Sequence, residues 1–186
     1  HYSKKKLPIL IDKQISNDLK FLEKLKRKKI KLFGGSALAF SDELNSAITK
    51  INKKKNKINY IEGVCKGNWD KYGQHLLHPI IKITKKKPTK IDCFYKNKEK
   101  TFVRLYFSNF HCDLYFYNVK KKNIYLKIHL KKEIIKVKFL NTYKMFVNFL
   151  YKFYTSVTKN NFNTNEILLV SKLILKGEKE IDKFKK

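Results

Sequence analysis

Arginine is almost absent from this 186-residue chain. Arg27 and Arg104 are the only two among the 44 basic residues, so nearly all of the positive charge is carried by lysine. Lysine is a compact point charge, and it lacks the planar fork with which arginine reads guanine edges or grips phosphate through two bonds. The composition therefore argues against a reader of base sequence and favours phosphate contact that is independent of sequence.

Acidic residues are also scarce, at 15, which leaves a formal net charge of +29. Such an excess repels itself in a free-standing protein, and binding to a polyanion relieves that repulsion. Nucleic acid is the commonest polyanion. Abundant Lys, Asn, Ile, Tyr and Phe beside scarce Arg, Gly, Pro and Ala is also typical of an A/T-rich genome, and this codon bias is an alternative source of part of the lysine excess.

Cysteine, at three residues, is too sparse and too widely spaced for a disulfide framework, which favours a reducing compartment. No apolar run reaches the roughly 18–20 residues of a membrane-spanning helix. Hydrophobic residues at 42% and aromatic residues at 14% exceed what a disordered basic tail contains. The sequence therefore predicts a folded body with a strongly basic surface and no membrane span.

The only methionine is Met145, and the sequence begins at His1. The initiator methionine is thus missing, and either the removal of a leader peptide or a fragment accounts for this. If a leader has been removed, the sequence predicts an organellar protein, with mitochondria as the first expectation and plastids as the second.

The first part of the chain is predicted to be helical. Apolar residues at spacings of three and four predict one helix over about residues 13–29 and another that begins after Ser41. Between them, residues 30–33 are predicted to form a short strand that ends at Gly34 and Gly35. We interpret this glycine pair as a tight turn, in preference to a cradle for phosphate.

Between residues 58 and 140 the apolar period changes to about two, which predicts five to seven β-strands. The predicted strands cover residues 58–61, 80–83, 91–95, 101–107, 113–119, 123–130 and 133–140. Most connections between them are short and polar, and such connections require antiparallel neighbours. The sequence therefore predicts an α+β fold with an antiparallel β-meander, preceded by helices and followed by two more.

The two closing helices carry recognisable start signals. Asn141 is expected to cap the first, and Asn163 with Glu166 has the spacing of a capping box for the second. Gly177 is expected to end or kink this last helix. The chain is accordingly divided into a basic arm (1–12), a single α+β domain (13–176) and a charged tail (177–186).

The segment from Gly63 to Pro79 contains the residues best suited to chemistry. His75 and His78 have a spacing compatible with metal binding, and Asp70 with His75 is compatible with acid–base chemistry. No Cys-x-x-Cys pair, nucleophile motif or second acid accompanies them. We therefore interpret the segment as a loop packed around Trp69, and predict no metal site, no cofactor and no catalytic residue.

Lysine-rich turns and termini are the candidate RNA-binding positions. They are Lys4, Lys5, Lys6, Lys53, Lys54, Lys55, Lys85, Lys86, Lys87, Lys120, Lys121, Lys122, Lys131 and Lys132. A small basic protein with a folded core and lysine-rich loops is typical of the ribosomal class. The sequence thus predicts a non-catalytic structural subunit of a ribonucleoprotein particle, foremost a mitochondrial ribosomal protein docked on rRNA phosphates beside neighbouring proteins. The alternative is an accessory subunit of an organellar or membrane-associated assembly that binds an acidic surface.

Overall fold

The computed structural model describes residues 7–53, 57–118 and 124–184. Its first sheet has two parallel strands, β1 (Ile9–Ile11) and β2 (Leu32–Gly34), which are connected through α1 (Leu19–Arg27). A short 3-10 helix (Ala37–Phe40) and α2 (Asp42–Lys53) follow. The predicted short strand and the predicted helices before and after it are present as β2, α1 and α2, whereas β1 and the 3-10 helix were not predicted.

The main sheet has six strands in the order β4-β5-β6-β3-β7-β8. The strands are β3 (Ile58–Lys66), β4 (Lys90–Lys96), β5 (Lys100–Tyr106), β6 (His111–Tyr117), β7 (Tyr125–Leu130) and β8 (Ile134–Lys138). The remaining helices are α3 (Trp69–Tyr72), α4 (Gln74–Thr84), α5 (Thr142–Thr158) and α6 (Thr164–Asp182). The predicted α+β class is confirmed.

The predicted antiparallel meander is wrong at the centre of the sheet. β3 pairs in parallel with β6 and antiparallel with β7, so it separates two strands that were predicted to be neighbours. The pairs β4–β5, β5–β6 and β7–β8 are antiparallel. One part of the error is that residues 80–83, predicted as a strand, belong to α4. The connection from β3 to β4 is therefore a helical crossover, which allows the chain to reach the far edge of the sheet. The other part is that β6 and β7, predicted to pair with each other, both pair with β3.

One face of the main sheet is buried and the other is partly exposed. Val103 and Leu105 of β5 are fully buried, whereas Arg104 between them lies on the opposite face. Arg104 donates two hydrogen bonds to Asp113, at 2.6 and 2.8 Å. One of the two arginines of the chain is thus engaged within the fold.

Two of the three predicted helix caps are confirmed. Ser41 Oγ accepts a hydrogen bond from Leu44 N–H at 3.1 Å, and Asn141 Oδ1 accepts one from Lys144 N–H at 2.9 Å. The capping box at Asn163 is wrong, because the Asn163 side chain bonds the N–H and C=O of Gly34 instead, at 3.1 and 3.0 Å. A long-range contact between α6 and β2 has replaced the local one.

Helix α5 is apolar on more than its buried side. Met145 and Phe149 are buried, whereas the apolar side chains of Phe146 and Leu150 are more than 40% exposed. Within the three described ranges, no helix combines the length and the apolar character that crossing a bilayer requires.

Helix α6 continues through Gly177 to Asp182, beyond the position where the sequence was expected to end or kink it. The Trp69 indole lies against Gly177, and its Nε1 donates to the Ile174 carbonyl at 2.8 Å. A side chain at position 177 would overlap the Trp69 ring, so close packing explains the glycine. The division of the chain into arm, domain and tail stays a prediction.

We expect Gly177→Ala to destabilise the protein. In an unobstructed helix this change stabilises by about 0.5–1 kcal/mol. Here the new methyl group must displace Trp69, whose ring is 2% exposed, and overpacking of this kind costs about 1–3 kcal/mol. Urea denaturation gives the free energy of unfolding, with Lys176→Ala at the exposed neighbouring position as the control. An unchanged or higher stability of the Gly177 variant would contradict this packing.

Candidate functional site

The described candidate lysines share one end of the main sheet. Lys53 ends α2 shortly before β3, residues 85–87 lie between α4 and β4, and residues 131–132 join β7 to β8. The pairing register brings these segments together, because β3, β4 and β6 begin where β5 and β7 end. All of them are exposed. Lys4, Lys5, Lys6, Lys54, Lys55, Lys120, Lys121 and Lys122 lie outside the described residues.

A cavity of about 320 Å³ lies at the opposite end, beyond the last residue of β3. It is formed by the loop that follows β1 and by the residues of α3 and the start of α4. The lining residues are Lys13, Gln14, Asp70, Lys71, Tyr72, Gln74 and His75. We call this the Lys13–His75 cavity.

His75 is held in place by Ser36, in the turn that follows β2. His75 Nδ1 lies 2.8 Å from Ser36 Oγ, which also accepts a hydrogen bond from Leu38 N–H at 3.3 Å. Ser36 is 1% exposed, and the described residues offer its hydroxyl hydrogen no acceptor except His75 Nδ1. We therefore assign the hydroxyl as the donor to Nδ1, which places the proton of the neutral ring on Nε2.

The environment of His75 keeps its ring neutral. Burial, with a smaller contribution from the positive charge of Lys13, lowers the pKa of His75 to about 4. Within the described ranges, His75 Nε2 has no hydrogen-bond partner, and it is accessible to solvent. Nε2 is therefore the ring atom that a ligand in the cavity can reach, and His75 offers it an N–H donor.

His78 lies one helical turn from His75 and is fixed at both ring nitrogens. Its Nδ1 accepts a hydrogen bond from Ser36 N–H at 3.0 Å, and its Nε2 lies 2.6 Å from Glu166 Oε1. A backbone N–H can only donate, so Nδ1 carries no proton and Nε2 donates to Glu166. Gly35 permits this contact, because its φ of +97° suits glycine and a Cβ there would overlap the His78 ring.

Glu166 and Lys82, both half-buried, complete the network around His78. Burial raises the pKa of Glu166, but the hydrogen bond to His78 and the charges nearby outweigh this effect, so the pKa is lowered overall. Lys82 Nζ donates to the Ala39 carbonyl at 2.5 Å and lies 4.2 Å from the centroid of the Phe40 ring. Burial lowers the pKa of Lys82. The network joins the turn after β2 to α4 and α6, and it positions His75 at the cavity.

Sequence reasoning missed Lys13 and Ser36, and set His75 aside. Lys13 was placed in a predicted helix, whereas it lies in the loop between β1 and α1. One signal could have found both residues. Each follows a short apolar strand, and ligands of parallel sheets bind at the carboxyl ends of the strands. The segment around His75, interpreted as a loop, is mostly helical, although Trp69 packs at its start as expected.

No sequence profile of a known family matches the chain, and no curated protein matches it. Solved structures do match. A probable dehydrogenase from Thermotoga maritima superimposes with a TM-score of 0.80 over 97% of this chain and 73% of its own, at 10% identity. A myo-inositol dehydrogenase from Corynebacterium glutamicum superimposes with a TM-score of 0.78 over 95% of this chain and 71% of its own, at 11% identity. The WlbA dehydrogenase from Thermus thermophilus, in complex with NAD and α-ketoglutarate, superimposes with a TM-score of 0.65 over 93% of this chain and 66% of its own, at 11% identity.

The chain therefore has the fold found in these dehydrogenases, and the predicted ribosomal protein is wrong. The same matches contradict rRNA as the partner, the alternative of an accessory assembly subunit and the expectation that the chain is not an enzyme, because the solved structures that share its fold over nearly its whole length include these dehydrogenases. The error has a physical reason. Net charge and lysine-rich turns are properties of the surface, and many folds tolerate them.

The glycine pair does not fit the phosphates of a dinucleotide. A Cβ at Gly34 would overlap the Ile11 carbonyl, and one at Gly35 would overlap His78, so both glycines are packed against protein. The tight-turn interpretation is thereby confirmed over the phosphate cradle. In the described parts of the chain, no three His, Cys, Asp or Glu side chains are grouped as a metal ion would require.

We expect His75 to make the protein lose stability in mild acid. The unfolded chain binds a proton on His75 at its ordinary pKa of 6.5, whereas the folded ring stays neutral down to about 4, so lowering the pH through this window favours unfolding. Replacing His75 by Gln should reduce the stability lost across the window by on the order of 1–3 kcal/mol. Urea denaturation of both proteins at pH 7 and pH 4.5 measures the difference.

An NMR titration of His75 checks the cause. Lys13→Met should raise the pKa of His75, because the nearby positive charge is removed while the burial remains. A His75 ring that titrates at 6 or above in the unmodified chain would show that the environment described here is incorrect.

Proposed function

We propose that this chain is the substrate-binding portion of an oxidoreductase of the dehydrogenase kind. A carbonyl or hydroxyl group of the substrate binds in the Lys13–His75 cavity. The observation that carries the proposal is the meeting, in one cavity, of the Lys13 ammonium group with a neutral imidazole whose Nε2 is free. The dehydrogenase fold over nearly the whole chain supports the same conclusion.

These two groups suit the oxygen atom of a carbonyl substrate. When a carbonyl is reduced, its oxygen gains negative charge and then a proton. Hydrogen-bond donors that are already in position stabilise this charge without reorganising during the reaction. His75 Nε2–H donates to the oxygen, and the Lys13 ammonium group both attracts the charge and carries a proton that it can transfer. In the oxidation of an alcohol, the same groups act in reverse.

We assign none of the described residues to the binding of the redox cofactor. The WlbA dehydrogenase was solved with NAD and with α-ketoglutarate, which carries a carbonyl group, so nicotinamide cofactors are the first ones to test. The packed glycine pair is not available for their phosphates, so these cofactors bind at another position. The mitochondrial localisation, expected from the sequence, also stays a prediction.

We expect the full chain to support carbonyl-dependent oxidation of NADH or NADPH, followed by absorbance with a panel of small ketones and oxo acids. His75→Asn should lower kcat by about 10²-fold, because the donor to the reacting oxygen is displaced. Lys13→Met should lower kcat by a similar factor, because the charge that faces the developing oxyanion is removed.

Lys86→Met is the matched control, since it removes a lysine at the opposite end of the sheet. It should leave the rate unchanged. Turnover that survives both cavity variants would contradict the proposal, and so would the absence of turnover together with the absence of any ligand-induced shift of the His75 resonances.

A further inference from the structure

The Lys13–His75 cavity has more positive than negative charge in its lining. Lys13 and Lys71 provide two ammonium groups, and Asp70 provides one carboxylate. Asp70 also lines a neighbouring cavity of about 470 Å³, so its charge is shared between the two. Throughout the described ranges, neither Lys13 nor Lys71 forms an ion pair. The described lining of the cavity therefore carries a net positive charge.

Three of the groups that line this cavity are hydrogen-bond donors, namely the two lysine ammonium groups and the His75 imidazole. The two lysines have no acceptor atom, and the Ser36 contact leaves His75 with an N–H at Nε2. A ligand that is rich in acceptors and negatively charged satisfies all three. A carboxylate offers two acceptor oxygens, and its hydrogen bonds to charged donors are about twice as strong as neutral ones.

The size of the cavity restricts the ligand further. A volume of about 320 Å³ is near the lower end of the range of roughly 300–1,000 Å³ typical of small-molecule sites. This volume accommodates a small molecule. A small ligand in this cavity has its charge close to its reacting oxygen.

We propose that the substrate of this cavity is a small oxo acid or hydroxy acid and that Lys71 binds its carboxylate. This inference rests on the proposed function, in which His75 and Lys13 hold the reacting oxygen. Lys71 belongs to α3 and is exposed, so its ammonium group remains hydrated until a ligand arrives. Lys71 is thus a specificity residue, and it takes no part in the proton transfer.

Calorimetric titration of the full chain with pyruvate and with 2-oxoglutarate tests the inference. Each acid is compared with its fully methylated ester, methyl pyruvate or dimethyl 2-oxoglutarate, which keeps the carbonyl group and lacks the charge. The acids should bind at least about tenfold more tightly than the esters. Lys71→Gln should bring the two affinities together, Lys71→Arg should preserve most of the difference, and Lys86→Gln should leave it unchanged.

The outcomes separate this inference from the function on which it rests. If an ester binds as tightly as its acid and turns over, the charge selectivity is refuted and the oxidoreductase proposal stands. A preference that survives Lys71→Gln refutes the role of Lys71. If no acid or ester binds and no NADH-linked turnover occurs, both proposals fail.

Discussion

The hydrogen bonds of Ser36 are the contacts on which the candidate site depends. Through its N–H this residue holds His78, and through its hydroxyl it holds His75. Both bonds are protected from water, since Ser36 is 1% exposed, and a buried partner left unpaired costs about 1–3 kcal/mol. Ser36 can occupy this place only because Gly35 turns the chain in a conformation that disfavours a side chain. The turn after β2 thus decides which nitrogen of His75 faces the cavity.

The same turn connects the two sheets of the protein. Asn163 of the α6 start binds Gly34 of β2, and Glu166 in the first turn of α6 binds His78 of α4. Helix α6 in turn packs against Trp69, which leads into the cavity-lining segment. The position of the cavity therefore follows from packing among segments that are distant in sequence. The basic surface at the other end of the main sheet plays no part in it.

The sequence allowed the α+β class, seven of the strands and the caps at Ser41 and Asn141 to be predicted, because these features depend on local periodicity and short-range hydrogen bonds. A strand was wrongly predicted at residues 80–83, because β-branched isoleucines and Pro79 favour a strand over a helix. A capping box was wrongly predicted at Asn163, because the local spacing of residues does not reveal that the Asn163 side chain has its partner in β2. The cavity was beyond reach for the same reason, since Lys13 and His75 meet only through the tertiary fold.

The account depends most on the protonation of His75, because an N–H at Nε2 is what allows this residue to stabilise a substrate oxygen. Long-range proton–nitrogen correlation NMR of the full chain at neutral pH, with the signals assigned by the His75→Gln variant, distinguishes the two neutral forms of the ring. The account predicts a neutral ring with its proton on Nε2 and with Nδ1 accepting from Ser36. A proton on Nδ1, or a charged ring, would contradict it.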